Sequence, residues 1–598
     1  MTSQTSSSSA TVDPWAPVVE AVVEGLRQAG STLKVPLDPE VVRTQLDLEG
    51  GPDGDVAFPT HRLAQASGEA PAELATRLAS AVPTSPWVLS VSAKGAYVNF
   101  RVDPARLTET TLSLVLGRGG RYGHSEPTGE SVCVEHTSAN PTGPFHIGRV
   151  RNSIIGDTLA RALRASGADV TTQYYVDDMG RQAAMVTWIW SKPRESWPEP
   201  IRRAVDGEET PGEKPDLHRG RPYPAVSAYL KGHPEAREEV TRIVRAIETG
   251  HPPENHRSLT EAILKGMLES LGRLHIGFDE VVWESDLLLD GSVDAVIDRL
   301  RHAPHALKES NGAWAVDASS YGLPKESTHV VFQRSDGTSL YVTRDIAYHL
   351  AKFARFAGVV DVLGQDHQLH ARTLAALFAE MGEARRPTFV IYQDITVPEG
   401  GRMSTRGGSA VWLDHLLAEA VERARKEVVA RREDLAEGDI DRIAEAVATG
   451  AIRYHIVRVA PEKPVVFRWE DALSFEGRSG PFVQYSYARA SSVLRKGGVE
   501  TGPYPFDPTR LTDPEELALV KVVARLPRVV AYAARSSHVQ AIAGYAHDLA
   551  DQFNRFYHAV PVLRSGAERE SRIALVAAVR QTLGNALDLL GVERLETM

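Results

Sequence analysis

The chain has 598 residues, 42% hydrophobic and 24% charged, with a net charge of −11 and one cysteine, Cys133. That length implies several domains with ample core, and the lone cysteine excludes a disulfide framework or a multi-cysteine zinc site, as suits a reducing cytoplasm. The acidic balance argues against a nonspecific nucleic-acid coat, and no apolar run approaches the ~20 residues needed to cross a bilayer.

Residues 1–12 are Ser/Thr-rich, lack basic and apolar regions, and read as a disordered tail rather than a signal peptide. Residues 13–116 form a first module. Helical spacing appears at Val18, Val22, Val23 and Leu26. Gly51-Pro52-Asp53-Gly54-Asp55 is a turn, 73–81 a helix and Ala96-Tyr97-Val98-Asn99-Phe100 a strand. A generic α/β appendage and a specialised domain both fit this segment. Residues 117–129 are a glycine-rich linker.

Ser131-Val132-Cys133-Val134 is a β-branched run, read as a buried parallel strand. Two prolines, Pro141 and Pro144, exclude regular structure from the loop that follows. Ile155, Leu159, Ala162 and Leu163 then recur at helical spacing, Gly167 is a stop, and 170–176 is a second strand. Open α/β sheets bind ligands at the carboxyl end of such a first strand. The helix start offers free N–H groups to anions, Gly148 permits close backbone approach, and His146 and Arg149 can donate to phosphate oxygens. Asp177 and Asp178, at the second strand's end, suit a ribose, a Mg²⁺ ion or a solvated turn.

Residues 192–253 are polar and proline-rich, the core of an insertion spanning about 192–325, read as partly loop and partly helix. Helical spacing resumes over 259–271; 312–317 and 329–332 read as strands. Residues 335–348 contain a turn, a strand and a helix start, with Tyr341 and Asp345 one helical turn apart. The strand 359–363 ends in Gly364-Gln365-Asp366-His367-Gln368, polar residues facing the crevice. Glu399–Gly408 is a cationic loop flanked by glycines that let it swing. Residues 412–470 are a helical connector. Residues 471–598 are an α-helical module with 15 basic against 14 acidic residues, so the chain's acidity lies elsewhere. Its aromatic and basic side chains suit either a bundle core or stacking on unpaired bases.

His146-Ile147-Gly148-Arg149 resembles the His-Ile-Gly-His signature of class I aminoacyl-tRNA synthetases, and Arg402-Met403-Ser404-Thr405-Arg406 resembles their Lys-Met-Ser-Lys-Ser loop. The flanks, Glu135-His136-Thr137-Ser138-Ala139-Asn140-Pro141-Thr142-Gly143-Pro144 and Arg151-Asn152-Ser153-Ile154-Ile155-Gly156-Asp157, resemble the archaeal-type branch of the arginyl-tRNA synthetases. The similarity runs from roughly the first hundred residues to the C-terminus. It implies a multidomain α/β protein. A Rossmann-like catalytic domain over 130–411 would stand between an N-terminal α/β domain touching the tRNA elbow (13–116) and, beyond the connector, an all-α anticodon-binding bundle (471–598).

The implied reaction activates L-arginine with ATP and Mg²⁺ to arginyl-adenylate and transfers it to the 3′-end of tRNA(Arg), releasing AMP and pyrophosphate. Catalysis falls to His146, Gly148, Arg149, Arg402, Ser404 and Arg406. ATP would meet Phe145, His146, Gly148, Arg149, Asp366, His367, Arg402, Met403 and Ser404. Arginine would meet Glu135, Asn140, Glu284, Tyr341 and Asp345, because a planar guanidinium calls for two carboxylates and an aromatic face. The tRNA would meet Tyr485, Arg489, Arg495 and Arg555. No protein metal cluster and no membrane segment are implied, and the expected form is a cytoplasmic monomer.

Three departures stand out: Arg149 for histidine, Arg402 and Thr405 for lysines, and Gly143 where many bacterial enzymes of this kind carry lysine. A paralogue charging another acceptor, or a non-enzymatic RNA-binding relative, would be the competing functions.

Overall fold

The computed structural model describes residues 13–205, 213–396, 412–432, 434–564 and 566–598. The expected tail, 1–12, and all of the second signature lie outside these.

The first module is a three-stranded antiparallel sheet, β1 (Val56–Pro59), β2 (Val88–Lys94) and β3 (Tyr97–Val102), in the order β1-β3-β2. The helices Ala16–Leu33 and Pro71–Ala81 pack together beside it, burying Val18, Val22, Leu26, Leu74 and Leu78. Each has proline in its first turn, where the missing N–H is no loss. The glycine-rich stretch after it is not a free linker. Tyr122 is fully buried and donates its hydroxyl to Val523 O (2.9 Å), while Asn585 donates to Gly119 O and Tyr122 O. Gly123, at φ +94, brings its backbone against Leu526, which explains why glycine recurs there.

The central sheet holds β4 (Ser131–Glu135), β5 (Asp169–Val176), β6 (Glu280–Trp283), β10 (Gly358–Gly364) and β11 (Thr388–Tyr392). All pairs are parallel, in the order β11-β10-β4-β5-β6. The chain moves outward from β4 in one direction, then returns to β4's other side at β10. That reversal opens a crevice at the carboxyl ends of β4 and β10. Between β6 and β10 lies an antiparallel hairpin sheet of β7 (Ala306–Lys308), β8 (Trp314–Asp317) and β9 (His329–Gln333). Two residue pairs join β12 (Ile395–Thr396) to β13 (Val465–Val466).

One expectation about these loops is corrected. No strand forms at 340–343: one bridge, Gln333–Ser339, closes a tight turn at Gly337 (φ +88), and a helix starts at Tyr341. The proline-rich insertion is mainly helical, and Pro215 and Pro234 begin helices instead of breaking them. Trp188, Trp197, Ile201, Val226, Leu230 and Val240 give it a core of its own.

The connector helices Leu413–Arg431 and Glu437–Val457 lead to five C-terminal helices, from Gly480–Lys496 to Arg569–Leu589. Their core is continuous with that of the first module and of the helix Ile147–Ala165. Lys521–Asp55 (2.5 Å) and Arg528–Asp13 (2.7 Å) join the two ends of the chain. Among the described residues no helix is long and apolar enough to cross a membrane.

The strongest polar tie is Arg453. It is fully buried and donates to Leu590 O (2.6 Å), Leu274 O (2.5 Å) and Asp157. Removing one partner of a buried ion pair strands the other charge, at about 3–5 kcal/mol. Arg453→Ala is therefore expected to lower the unfolding free energy by about 3 kcal/mol in denaturant titrations; a loss below about 1 kcal/mol would contradict this placement.

Candidate active site

The chain leaves β4 through an unusual turn. Thr137 and Ser138 have φ of +75° and +40°, a left-handed conformation that non-glycine residues adopt at a penalty of order 1–2 kcal/mol each. Side chains hold them there. Asn152 Oδ1 accepts from Thr137 N (2.8 Å), and Thr137 Oγ1 donates to Ser153 Oγ (2.9 Å). Ser138 Oγ donates to Glu135 Oε1 (2.8 Å). Beneath the turn His136 is buried against Phe278, and Gly156 admits it: a Cβ there would fall 2.3 Å from the His136 side chain. Asn152 and Gly156, on the helix face turned to this loop, carry functions that helical spacing alone does not signal.

His146 caps the helix Ile147–Ala165. Its Nδ1 accepts from Gly148 N (2.9 Å). The neutral ring therefore carries its proton on Nε2, as a donor directed away from that turn. Partial desolvation and the like charge of Arg149 lower its pKa, which favours this neutral form. Gly148 is needed here for another reason than ligand approach, since a Cβ would press within 3.0 Å of the His146 ring. Arg149 is exposed, and its field reaches His367 and Tyr392 across the crevice. Phe145, expected beside the nucleotide, has a buried side chain, and its carbonyl accepts from Leu413 N. Gly143 lies against Gly220 of the insertion, where a Cβ added to Gly143 would stand 3.3 Å from Gly220 Cα, tighter than an ordinary van der Waals contact. A lysine at 143 has little room.

Arg402, Met403, Ser404 and Arg406 lie outside the described residues, but both flanks of their segment meet the first signature. Leu413 N donates to Phe145 O (2.7 Å), His146 bridges to Trp412, and the two rings stand edge to face at 6.2 Å. On the other flank, buried Arg151 donates to Gln393 O (2.6 Å) and Ala460 O (2.8 Å). Burial lowers its pKa only to about 10, so it stays charged at neutral pH.

The acids at the strand ends are not equivalent. Asn140 Nδ2 donates to Asp177 Oδ2 (2.9 Å), so both face the crevice. Asp178 is buried and accepts from Ser285 N (3.0 Å) and Oγ (2.7 Å), which seats the helix Glu284–Leu289 and removes Asp178 from ligand binding. Asp345 and Tyr341 share a face of the helix Tyr341–Arg355, as expected, with His370 between them: its Nε2 is 2.5 Å from Asp345 Oδ2 and its ring 5.2 Å from that of Tyr341. Tyr341 is 63% exposed.

Two of the expected arginine contacts have partners inside the protein. Glu135 is buried and accepts from Lys352 Nζ (2.5 Å), so it is not open to a ligand. Glu284, with a side chain only 4% exposed against 23% for Asp345, already pairs with Arg344. Burial, reinforced by Asp177 and opposed by Arg344, pushes its carboxyl up to about 8. Where two acids were expected, the structure places a partly exposed Asp345, paired with His349 and His370, and a buried Glu284, paired with Arg344. The fields of Glu284, Asp345 and Asp177 nevertheless converge on the Tyr175 hydroxyl and, after burial, raise its pKa. Asp366 is exposed and His367 partly so, with 3.6 Å between Asp366 Oδ2 and His367 Nε2.

In the C-terminal module Tyr485 and Arg489 line a groove of about 1420 Å³ beside the connector, and with Arg495 they line a second of about 700 Å³. Arg489 lies over the rings of Tyr485 (4.7 Å) and Tyr557 (5.1 Å). Arg555 lines neither groove; it is exposed and pairs with Asp551 (2.8 Å), one helical turn away. Tyr487, Phe553 and Phe556 are core, while Tyr532 and Tyr557 are exposed.

Residues 20–102 match the Arginyl tRNA synthetase N terminal domain, 111–469 the catalytic domain of tRNA synthetases class I (R), and 483–598 the DALR anticodon binding domain. The chain is 42% identical over 540 residues to the arginine–tRNA ligase of Methanocella arvoryzae, covering 90% of this chain and 92% of that one. It is 43% identical over 561 residues to that of Methanothermobacter thermautotrophicus, covering 93% and 96%. The solved arginyl-tRNA synthetase of Thermus thermophilus superposes with a TM-score of 0.80 at 29% identity, over 97% of this chain and 100% of that one.

The buried imidazoles make acid stability a test of this geometry. Burial drives the pKa of His136 and of His455 from 6.5 to about 4. The unfolded chain binds these protons first, so stability falls as pH drops from about 6.5 towards 4. Glu284, raised to about 8, and His349, raised to about 10, act with the opposite sign, chiefly near pH 7, so below about pH 6 denaturation midpoints are expected to fall with a net slope of about one proton; a rise in stability from pH 6 to about 5 would contradict the burial.

Proposed function

Taking as premise that the chain belongs to the class I arginyl-tRNA synthetases, we propose how its residues divide the reaction. The protein is an arginine–tRNA ligase, with arginine, ATP and tRNA as its partners. The observation that carries the residue assignment is the tie between Phe145-His146 and Trp412-Leu413, which links the first signature to a flank of the second.

ATP lies across the start of the helix Ile147–Ala165. The arginine carboxylate attacks the α-phosphorus and pyrophosphate leaves; the terminal ribose hydroxyl of tRNA(Arg) then attacks the adenylate carbonyl and AMP leaves. No side-chain nucleophile is required, and the rate comes from positioning and charge stabilisation. His146 Nε2–H donates to a phosphate oxygen as negative charge moves towards the leaving group. Arg149 adds positive charge on the same side, and Arg402 and Arg406 reach the leaving phosphates, with Ser404 and Met403 in the same loop. Arginines in place of the usual lysines keep the charge and add a planar fork. Asp366 and His367 border the nucleotide.

Mg²⁺ would arrive on the phosphates, whose oxygens it prefers, and share their charge. Among the described residues no group of three or more acids, histidines or cysteines is placed to hold it, so no step is assigned to a protein-bound ion. Asn140, with Asp177 beside it, receives the backbone end of arginine. Asp345 takes the guanidinium beneath Tyr341, with the Glu284–Arg344 pair as the adjoining wall.

Tyr485, Arg489 and Arg495 contact the anticodon region and 13–116 the tRNA elbow, on either side of a catalytic domain over 130–411. The enzyme acts as a cytoplasmic monomer. A paralogue would retain the pocket and fail to charge tRNA(Arg). Incubating the protein with ATP, Mg²⁺ and total tRNA, and each amino acid in turn, should esterify arginine alone. His146→Ala should slow adenylate formation by about two orders of magnitude or more, with arginine affinity retained. Near-normal turnover in that variant would remove His146 from catalysis.

A further inference from the structure

Asp345 does not stand alone in the pocket wall. Its Oδ1 is 3.0 Å from His349 Nδ1, which also lies 2.8 Å from the Asp345 carbonyl. His349 Nε2 is 2.6 Å from Asp361 Oδ2, on β10. Asp361 Oδ1 accepts from Lys352 Nζ (2.8 Å), and Lys352 Nζ reaches Glu135 Oε2 at the end of β4 (2.5 Å). Glu135 in turn holds Ser138 in the strained turn. A continuous line of alternating charge thus runs from the first-signature loop to Asp345: acid, base, acid, base, acid.

The geometry constrains the protons. Both ring nitrogens of His349 face carboxylate oxygens, and neither faces a donor. A neutral imidazole donates through one nitrogen only, and its other lone pair would then confront a buried carboxylate. The doubly protonated ring satisfies both. With Lys352 charged as well, two cations sit among three carboxylates. The single unbalanced negative charge belongs at Asp345, the end that opens to the crevice; Glu135, Asp361, His349 and Lys352 are all buried.

We propose that His349 is a positioning and specificity-determining residue for arginine: as an imidazolium anchored by Asp361, which Lys352 holds in place, it keeps Asp345 ionised and aimed, so that the pocket carries one reserved negative charge for the substrate's guanidinium. This rests on Asp345 being the guanidinium ligand. Energetics agree with the geometry. Burial and Lys352 oppose the charged ring, yet Asp361 and Asp345 outweigh them and raise its pKa to about 10. Asp345, despite its burial, is held well below the ordinary carboxylate range by His349 and His370. A neutral pocket acid would receive citrulline, the uncharged isostere of arginine, almost as well as arginine. A reserved charge rejects it, because the guanidinium's charge then has a fixed counterpart.

The test compares variants by tRNA-dependent arginine charging. His349→Gln keeps a donor towards Asp361 and loses the contact with Asp345. Asp361→Asn leaves Asp345 and His349 in place but removes the charge that holds the ring protonated. Both should raise KM for arginine about tenfold or more, and narrow the preference over citrulline by a similar factor. KM for ATP and kcat should stay within about threefold.

A folded His349→Gln enzyme with unchanged KM for arginine, or one whose kcat and KM for ATP worsen in step, overturns the proposal. Asp345→Asn separates the two readings. If it leaves KM for arginine unchanged, the pocket assignment itself fails; if it raises KM while His349→Gln does not, only the role of His349 fails. Should the variants unfold, the wild type decides. The groups facing His349 are Asp345 and Lys352 from its own helix, Asp361 from β10 and Glu135 from β4, with His370 beyond Asp345. A ring that stays charged from about pH 7 to 8.5 leaves arginine affinity undiminished over that range. Ionisation of Glu284 in the same interval can only strengthen binding. Weakening there overturns the proposal.

Discussion

One backbone hydrogen bond, from Leu413 N to Phe145 O, connects parts of the chain some 270 residues apart and, on the function proposed above, sets where chemistry occurs. It joins the loop after β4 to the first residue of the connector helix, and so joins the two stretches that carry the signatures. Arg151 performs the matching task on the other flank. It is one turn beyond His146 on the same helix, and its guanidinium holds the carbonyls of Gln393 and Ala460. A single helix start therefore serves three ends at once. It presents N–H groups to an anion, seats His146 in one tautomer, and anchors both flanks of a segment that must approach the same anion. The left-handed turn at Thr137-Ser138 is the strain this arrangement carries, and Asn152, Ser153 and Glu135 hold it in place.

Electrostatics complete the site. The pocket collects Asp177, Glu284 and Asp345 within reach of one hydroxyl, and unbalanced acids would not remain ionised at such proximity. The protein resolves this unevenly: His349 holds Asp345 ionised and Lys352 serves Glu135 and Asp361, while Glu284, paired with Arg344, is still pushed up to about 8 by burial. What remains open to a substrate is set by those internal partners. Discrimination among side chains of similar size then depends on charge placement more than on volume, which suits a ligand as polar as arginine.

Much of this was legible in the sequence, and the failures have physical causes. The unit from Ser131 to Val176 could be read because β-branched runs, prolines and helical spacing are local signals that the fold does not override. Tyr341 and Asp345 could be paired for the same reason. Glu284 could not be seen as already paired, because its partner Arg344 is sixty residues away and meets it only through the packing of two helices on the sheet. The burial of the Phe145 side chain was not foreseen: neighbours along extended backbone point opposite ways, and with His146 facing outward Phe145 faces the core. Arg151, Asn152 and Gly156 were noted only as part of a resembling flank, without roles, because polar and small residues on a buried helix face look, in sequence, like an imperfect amphipathic pattern.

The central claim is that the two signatures act as one device because the backbone at Leu413 is tied to that at Phe145. Leu413 is the first residue of its helix and follows Trp412 in extended conformation, so proline fits the backbone there and removes the donor along with the buried leucine side chain. The most direct measurement is the rate of arginyl-adenylate formation in Leu413→Pro, with Leu413→Ala as the reference for lost side-chain packing. The account predicts that the proline enzyme is slower than the alanine enzyme by about tenfold or more, with arginine affinity equal in both. Equal rates in the two variants would contradict it.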